Sequence, residues 1–253
     1  MEAHVFEAVE NNVLGTRNLA RAASEHGADE FVLVSSDKAV RPVGVMGATK
    51  RVAEMICQAE TEGATRFLAV RFGNVMESSG SVVPNFRRQI EAGGPVTVTH
   101  PDMQRYFMTI PEAAELVLQS AAMGRGGEIF VLEMGEPVRI LDLARRMILL
   151  SGLRPDIDIP IVFSGIRPGE RLHEEVRALD ENSSSTPHAH IRVLSGPAPP
   201  RRMRRTLDEL ERATEERDAA QVVSCLKKLI PDYTPSVVAL RGASVPMDQA
   251  VSA

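Results

Sequence analysis

Aromatic residues and cysteines are scarce in this sequence, and tryptophan does not occur. Aromatic residues make up 4% of the 253 positions. The two cysteines, Cys57 and Cys225, lie far apart and have no cysteine or histidine neighbours at metal-ligand spacing. This spacing argues against a disulfide framework and against a zinc site, so we expect no metal.

Positive charge is in the minority, because the formal net charge is −5. A surface built mainly to hold nucleic acid would carry the opposite sign. The one basic run, RRMRR at 201–205, precedes an acidic helical pattern and has no interleaved aromatic residues for base stacking. We therefore interpret it as a solvated linker and expect no nucleic-acid partner.

Long hydrophobic runs are missing as well. The longest, such as 147–150, are far too short to cross a bilayer, and no signal peptide opens the chain. These features predict a cytoplasmic protein with no membrane segment in this chain. A chain of 253 residues is long enough to bury the core of an enzyme.

The glycine-rich turn G-x-G-x-x-G does not occur in the sequence. Dinucleotide-binding units use this turn to bring pyrophosphate against bare backbone N–H groups at a helix N-terminus. The glycine cluster MGRGGEIF at 123–130 precedes a strand pattern, which predicts a helix-to-strand turn instead. If the protein depends on a nucleotide cofactor, we expect the chain to begin part-way through the nucleotide-binding domain.

The remaining pattern alternates helices and buried strands. A helical rhythm runs to Gly27, the apolar segments 31–34 and 67–71 are typical of buried strands, and 47–62 predicts a helix between them. This order predicts a right-handed crossover and a parallel sheet. Further strand-like segments lie at 95–99, 129–132, 159–163 and 190–194, and helix-like segments at 111–123, 140–150, 206–219 and 220–229.

The composition of the second half shapes the predicted domain organisation. Residues 180–200 are rich in Ser, Pro, Asn and His, which predicts loops around one short strand. We predict three parts. Residues 1–92 hold the C-terminal part of a Rossmann-type domain with the catalytic motif, and 93–240 a substrate-binding lobe interleaved with returning Rossmann elements. Residues 241–253 are predicted to be a disordered tail.

The stretch VSSDKAVRPVGVMGATK at 34–50 is rich in chemically active side chains. Ser35, Ser36, Asp37 and Lys38 follow a predicted strand at its C-terminal end, where ligands bind in open α/β sheets. The stretch has the spacing of a short-chain dehydrogenase site, except that methionine stands where Tyr-x-x-x-Lys has tyrosine. An isolated Ser-Asp-Lys would be better interpreted as a solvated turn.

Seven stretches together resemble the CapD-like polysaccharide biosynthesis proteins. They are NNVLGTRN, VSSDKAVRPVGVMGATKR, RFGNVMESSGSVVPNFRRQI, PVTVTHPDMQRYFMTIPEAAELVLQS, GEIFVLEMGEPVRILDLARRM, IRPGERLHEEV and LIPDYTPS. These proteins are extended short-chain dehydrogenase/reductase relatives that act as nucleotide-sugar 4,6-dehydratases or epimerases. The resemblance covers roughly residues 5 to 236. It implies an α/β fold: an incomplete Rossmann-type parallel sheet, lacking its first strands and glycine-rich turn, with a smaller α/β C-terminal lobe for substrate.

The resemblance also implies catalytic roles. A 4,6-dehydratase needs an acid for the departing C6 hydroxyl and a base for the C5 proton. By the family's Thr/Ser-Asp-Lys motif, Asp37 is the acid, Lys38 the base, and Ser36 a hydrogen-bond partner of the C4 oxygen. Lys50 is expected to hold the nicotinamide ribose. Met46 cannot lose a proton, so the usual phenolate base is absent, and its thioether is expected to pack against nicotinamide or sugar. One membrane-bound branch of the family also has methionine at this position.

The cofactor implied is NAD or NADP. Besides Lys50, the residues expected near it are Ser35, Arg71 and Asn12, the last bracing the catalytic turn by hydrogen bonding. An ordinary helix-surface lysine is the structural alternative for Lys50.

The substrate implied is a UDP-sugar. Arg105 and Arg167 are candidates for its phosphates because arginine forks bind phosphate oxygens in pairs; a structural salt bridge is the alternative for each. Asn74 is expected to contact the sugar and Glu170 the nucleotide ribose, with Val83 in the substrate lobe. Full-length relatives are often anchored at the inner membrane with the catalytic part in the cytoplasm, and they often self-associate.

Three functions remain open at this point. The first is a UDP-sugar 4,6-dehydratase, most readily on UDP-N-acetylglucosamine, for surface polysaccharide or glycan synthesis. The second is a nucleotide-sugar epimerase. The third is an inactive remnant that binds a nucleotide sugar weakly or serves only in assembly, as the missing glycine-rich turn would allow.

Overall fold

The computed structural model describes residues 2–60, 63–78, 80–178, 181–195, 199–200 and 202–242. Its helices are α1 (Val5–Val9), α2 (Gly15–Glu25), α3 (Val45–Ala59), α4 (Val82–Glu91), α5 (Ile110–Met123), α6 (Ile140–Leu150), α7 (Met203–Glu215), α8 (Ala219–Leu229) and α9 (Val237–Gly242). A π-helical segment, Glu10–Leu14, joins α1 to α2, and a 3₁₀ turn covers Asp37–Ala39. Over the described ranges, no helix is both long and apolar enough to cross a membrane.

The strands follow the same chain order. They are β1 (Glu30–Val34), β2 (Arg66–Arg71), β3 (Asn74–Val75), β4 (Val96–Val98), β5 (Gln104–Arg105), β6 (Phe107–Met108), β7 (Ile129–Leu132), β8 (Val138–Arg139), β9 (Ile161–Phe163), β10 (Asn182–Ser185) and β11 (Ile191–Ser195). The glycine cluster before β7 forms the helix-to-strand turn that the sequence predicts, since α5 ends at Met123.

Five strands form the main sheet in the order β1-β2-β7-β11-β10. β1 pairs with β2 and β2 with β7, both in parallel, whereas β11 runs antiparallel to β7 and β10 antiparallel to β11. Because α3 connects β1 to β2, the predicted parallel crossover is confirmed. β1 forms one edge of the sheet in the part of the chain that the structure describes.

The central strand β2 explains why its sequence is a continuous apolar run. Phe67 and Ala69 contribute to the core that α3, α7 and α8 cover, while Leu68 and Val70 contribute to the core on the opposite face, beside α5. A parallel strand covered on both faces needs apolar residues at every position, without polar alternation. The sheet is therefore fixed from both sides, and its strand ends are held in place.

A second, smaller hydrophobic core forms a separate lobe. Phe86 and Ile90 of α4 pack with Val96 of β4 and Ile148 of α6. β4 pairs in parallel with β9. The packing thus assigns α4 to the lobe, ahead of the predicted boundary at residue 92, because the apolar face of α4 turns toward β4 and α6. Helices α7 and α8, in contrast, pack on the main sheet.

Two elements differ from the sequence prediction. Asn182–Ser185 is a strand where the serine-rich composition predicts a loop, because backbone pairing with β11 holds this polar edge strand. The sequence pattern also did not predict the helix α4. The disordered tail predicted for 241–253 lies outside the described residues, apart from positions 241–242, which end α9.

Candidate active site

The turn formed by Ser35, Ser36, Asp37 and Lys38, here called the SSDK turn, lies where β1 ends, against the neighbouring end of β2. The backbone N–H of Ser35 donates to the carbonyl of Val70 at 2.8 Å, and that of Asp37 donates to the carbonyl of Phe72 at 3.0 Å. The hydroxyl of Ser36 accepts from the N–H of Lys38 at 3.3 Å and so caps the 3₁₀ turn. Parallel pairing with β2 therefore places the reactive side chains at the carboxyl end of the sheet.

Asp37 and Lys38 form a hydrogen-bonded ion pair in this turn. Asp37 is fully buried, and its Oδ1 accepts from Lys38 Nζ at 2.9 Å and from the Ser36 hydroxyl at 2.9 Å. Lys38 Nζ also donates to Asn74 Oδ1 at 3.3 Å. Among the described residues, Asp37 Oδ2 is buried and has no hydrogen-bond partner. Such an atom is costly to bury unless something binds it, so it is suited to carry a proton or to receive a ligand donor.

The first turns of α3 bring Met46 and Lys50 to the same end of the sheet. Lys50 Nζ donates to the carbonyl of Val34, the last residue of β1, at 3.2 Å. Burial lowers the pKa of the Lys50 ammonium, and the nearby Glu54 carboxylate raises it in part. An ammonium has three donors. Lys50 is therefore held at the strand end with donors left for a ligand.

A cleft of about 920 Å³ opens between this strand end and the lobe. Its walls include Ser36, Lys38, Met46, Gly73, Asn74, Val82, Asn85, Phe86, Gln89, Arg105, Arg167, Glu170 and Glu174. A smaller cavity of about 170 Å³ adjoins it and shares Lys38, Met46, Gly169 and Glu174. The Lys38 amine thus faces a space large enough for a small-molecule ligand.

Two arginines with different environments line the cleft. The Arg105 guanidinium is buried, donates to Glu170 Oε1 at 3.0 Å and to the carbonyls of Gln104 and Leu172, and lies 3.8 Å from Glu174 Oε1. Arg167 is exposed at the rim, and its backbone N–H donates to Glu170 Oε2 at 3.3 Å. The structure brings Arg105, Arg167 and Glu170 together, and protein groups already accept from part of the Arg105 guanidinium.

A family model described as polysaccharide biosynthesis protein matches residues 1–195. The chain belongs to this family. The capsular polysaccharide biosynthesis protein CapD of Staphylococcus aureus is 56% identical over 198 residues, and the probable polysaccharide biosynthesis protein EpsC of Bacillus subtilis (strain 168) is 59% identical over 177. These matches cover 78% and 70% of this chain but 33% and 29% of the relatives. The chain spans about a third of their length.

Further proteins similar to this chain differ in the activities that their names state. The UDP-glucose 4-epimerase of Rickettsia akari is 35% identical over 69% of this chain and 51% of its own. Among solved structures, Pen from Bacillus thuringiensis has a TM-score of 0.69 with 34% identity, covering 76% of this chain and 60% of that one. The dTDP-glucose 4,6-dehydratase of Bacillus anthracis shares the fold at 17% identity and a TM-score of 0.55, covering 63% and 58%. The predicted Rossmann-type class is confirmed.

Within this family member, two residues predicted near the cofactor lie in a buried ionic network. Arg71 is fully buried and holds Glu54 through Nε at 3.0 Å and Nη2 at 2.8 Å, and it holds Glu181 through Nη1. The Ser35 hydroxyl donates to Glu54 Oε1 at 2.6 Å. Glu54 therefore binds both side chains, and the placement of Arg71 and Ser35 at the cofactor stays a prediction.

Two further predictions need refinement. Asn12 donates to the hydroxyl of Thr49 at 2.9 Å, so it braces α3 beside Lys50 and does not contact the catalytic turn. On α4 the cleft is lined by Val82 and not by Val83, since the lining positions repeat at helical spacing from 82 through 85, 86 and 89.

Sequence reasoning missed Glu54 and Glu174. Glu54 is fully buried among apolar positions of α3, and its partner Arg71 lies in another element. Burial alone would raise the Glu54 pKa, but Arg71, Arg51 and Ser35 hold it below its usual value. Glu174 lies in the LHEEV stretch that carried the resemblance, yet no pattern distinguished it from the exposed Glu175. Only the packing separates the two.

The absence of a side chain at Gly47 allows α3 to approach the SSDK turn closely. A Cβ atom built on Gly47 would lie 2.0 Å from the carbonyl oxygen of Lys38. In most helices a Gly→Ala change stabilises by roughly 1 kcal/mol. Gly47→Ala should instead lower the free energy of unfolding by about 1 to 3 kcal/mol, because backbone must move.

Urea unfolding of the variant checks this prediction. Gly15→Ala is the matched control, since its nearest contact, the Glu10 carbonyl oxygen, would be 3.3 Å away. A Gly47→Ala chain as stable as the unmodified protein would contradict the close approach.

Proposed function

We propose that this protein acts as a UDP-sugar 4,6-dehydratase, with UDP-N-acetylglucosamine as the preferred substrate, in surface polysaccharide or glycan synthesis. The observation that carries the proposal is the hydrogen bond between Lys38 Nζ and Asp37 Oδ1, at 2.9 Å beside the open cleft. Elimination of water across C5 and C6 needs one base and one acid, and this pair supplies both.

The proton count of the pair suits the reaction. The pair holds one mobile proton, which can move across the 2.9 Å hydrogen bond to give a neutral Lys38 amine and a protonated Asp37. Lys38 then takes the C5 proton, which becomes acidic once C4 is a ketone, and Asp37 gives its proton to the departing C6 hydroxyl. The elimination ends with an ammonium at Lys38 and a carboxylate at Asp37.

The cofactor proposed is NAD or NADP. When bound, it would accept a hydride from C4 of the sugar and return it to C6. The residues present fit its nicotinamide end, because Lys50 is fixed at the end of β1 with donors to spare for ribose hydroxyls, and Met46 lines the adjoining cleft. The G-x-G-x-x-G turn for the pyrophosphate does not occur in this sequence.

Substrate binding is proposed for the cleft walls. Arg167 at the rim and the partly satisfied Arg105 place positive charge where a diphosphate could lie, with Glu170 between them. Asn74 already accepts from Lys38 and can donate its amide to a sugar oxygen. A nucleotide sugar placed in this way would have its hexose beside the Asp37–Lys38 pair.

A nucleotide-sugar epimerase is the second candidate. The 35% identity to a UDP-glucose 4-epimerase favours it. Two features support dehydration instead. Asp37 lies beside Lys38 and offers an acid for a departing hydroxyl, which simple C4 epimerisation does not require. Position 46 is methionine, as in the membrane-bound branch of the family named above.

The function is tested by incubating the purified chain with UDP-N-acetylglucosamine and NAD, both as given and joined to the unmatched remainder of the S. aureus CapD relative. We expect a 4-keto-6-deoxy sugar nucleotide that has lost one water, detected by mass spectrometry and NMR. An isomer of unchanged mass would indicate the epimerase. No conversion in either form would contradict both and favour a binding or assembly role.

The acid role of Asp37 gives a sharper prediction. Asp37→Asn should leave hydride transfer measurable, seen as reduced nicotinamide absorbance, while elimination slows by roughly 100-fold or more. Asparagine keeps the shape of the side chain but has no acidic proton to give. Equal loss of both steps would show that Asp37 serves another purpose.

A further inference from the structure

Glu174 is a buried acidic residue that lines both cavities. Its side chain is 5% exposed, and it lines the large cleft as well as the smaller cavity. Lys38 and Met46 line the same two spaces. Glu174 therefore lies at the point where the cavities meet, beside the amine of the proposed base and the thioether that replaces a tyrosine.

The other carboxylates of the two cavities are already bound by protein groups. Glu170 accepts from the Arg105 guanidinium and from the Arg167 N–H. Glu2 accepts from the N–H of Val45 and from the Ser236 hydroxyl. Glu174, in contrast, accepts no hydrogen bond from any described residue, and its one ion pair there is the long 3.8 Å approach to Arg105. Among the carboxylates that line these two cavities, Glu174 is the one with lone pairs to spare.

The groups facing Glu174 come from several elements. Burial raises the pKa of Glu174, Lys38 lowers it, Asp37 raises it, and Arg105 and Arg171 lower it further. The net direction is upward, toward the working pH, which improves a carboxylate as a proton acceptor.

We propose that Glu174 accepts the proton of the substrate's C4 hydroxyl, the step for which Met46 has no proton-accepting group. The inference rests on the proposed function, because it needs a sugar whose C4 is oxidised in this cleft. Glu174 then takes the place of the tyrosine phenol in related dehydrogenases, from another element that lines the same cavities.

The step balances over one turnover. The C4–H bond breaks as hydride leaves to the bound nicotinamide cofactor, the O–H bond breaks as its proton goes to Glu174, and the C4=O bond forms. In the elimination, Lys38 gains the C5 proton and Asp37 loses one to the departing water. The Lys38 proton returns to C5 when hydride returns to C6. Transfer of the Glu174 proton to Asp37, through Lys38 Nζ or water, then restores the starting state.

The first test is stability of the chain as it exists, without cofactor or substrate. A raised folded-state pKa means that the folded protein holds the Glu174 proton more tightly than the unfolded chain. Glu174 therefore does not destabilise the folded state at acid pH. It lowers the free energy of unfolding increasingly as pH rises through the folded-state pKa. We expect Glu174→Gln to raise the urea midpoint at pH 7 and to leave it unchanged near pH 4.

The control for this measurement is Glu175→Gln, the same chemical change at the next residue. Glu175 is exposed and pairs with Arg41, so its midpoint should stay near that of the unmodified chain. If Glu174→Gln lowered the midpoint at pH 7, Glu174 would be a structural partner of Arg105, and the inference would be overturned.

The second test separates the inference from the proposed function. Exchange of the C5 hydrogen of the 4-keto-6-deoxy product with D₂O needs Lys38 but no hydroxyl oxidation, so Glu174→Gln should retain it. The first hydride transfer in the same variant should slow by roughly 100-fold or more and lose its acid-limb pH dependence. Unmodified protein that gives no 4-keto product refutes the proposed function. Product formation with Glu174→Gln as fast as Glu175→Gln refutes the inference alone.

Discussion

Arg71→Met should lower the free energy of unfolding by roughly 3 to 5 kcal/mol at pH 7, because it leaves the buried carboxylate of Glu54 without its main counter-charge. Arg71 and Glu54 are both fully buried and share two hydrogen bonds, at 3.0 and 2.8 Å. Removal of one member of such a pair exposes the full desolvation cost of the other. Chemical denaturation with far-UV circular dichroism measures the change.

The pH dependence of this effect has a definite sign. In the unmodified protein the lowered pKa of Glu54 contributes stability above the unfolded-state pKa, and this contribution is lost as pH falls through the folded value. In Arg71→Met, Glu54 should become protonated at a higher pH, so the destabilisation should shrink toward acid pH. A loss that stayed constant with pH would argue against an ionised Glu54.

A double variant serves as the control. Glu54→Gln with Arg71→Met removes both charges and should be less destabilised than the sum of the two single changes. Glu181 also accepts from Arg71, so the double variant still leaves that carboxylate without its arginine partner. Since Ser35 donates to Glu54, the network also anchors the residue next to the catalytic turn, and Arg71→Met should weaken ligand binding in the cleft.

Lys38→Gln should reduce the rate of C5 hydrogen exchange by about 10²- to 10⁴-fold, the range found for general bases. Glutamine retains a donor toward Asp37 and Asn74, which now hold the Lys38 ammonium at 2.9 and 3.3 Å, but it cannot take a proton. Binding of the sugar nucleotide, measured by calorimetry, should change little. NMR of the 4-keto product in D₂O measures the exchange.

Lys38→Arg distinguishes charge from proton transfer. Arginine keeps the positive charge beside the buried Asp37 but does not deprotonate at working pH. If charge alone sufficed, Lys38→Arg would retain exchange. We expect it to lose exchange as fully as glutamine does while preserving the stability of the fold.

Local pattern predicted much of the framework. The apolar runs at 31–34 and 67–71 are recognisable because a strand covered on both faces requires apolar residues throughout. The helix between them and the location of the SSDK turn at the carboxyl end of the sheet follow from strand order alone. The strand β10 could not be predicted in this way, since Asn182–Ser185 pairs through its backbone and has no apolar face to reveal it.

The residues of the candidate site also fall into those that the local sequence identified and those that only the packing revealed. The spacing of the motif identified Asp37, Lys38 and Lys50 as candidates, because their positions are local features of the sequence. Asp37 and Lys38 are adjacent at a strand end, and Lys50 lies in the helix that follows. The pairing of Arg71 with Glu54 could not be predicted locally, because the two residues lie on different elements. Glu174 was missed because nothing local separates it from its neighbour Glu175.

The sequence by itself determined the alternation of strands and helices, the reactive turn at the end of β1 and the absence of a phenol at position 46. The tertiary structure alone decided which charged side chains neutralise one another and which face the cleft. The physical reason is distance along the chain. Elements form from contacts a few residues apart, but the burial of Arg71, Glu54 and Glu174 depends on elements that meet only when the sheet and lobe have packed.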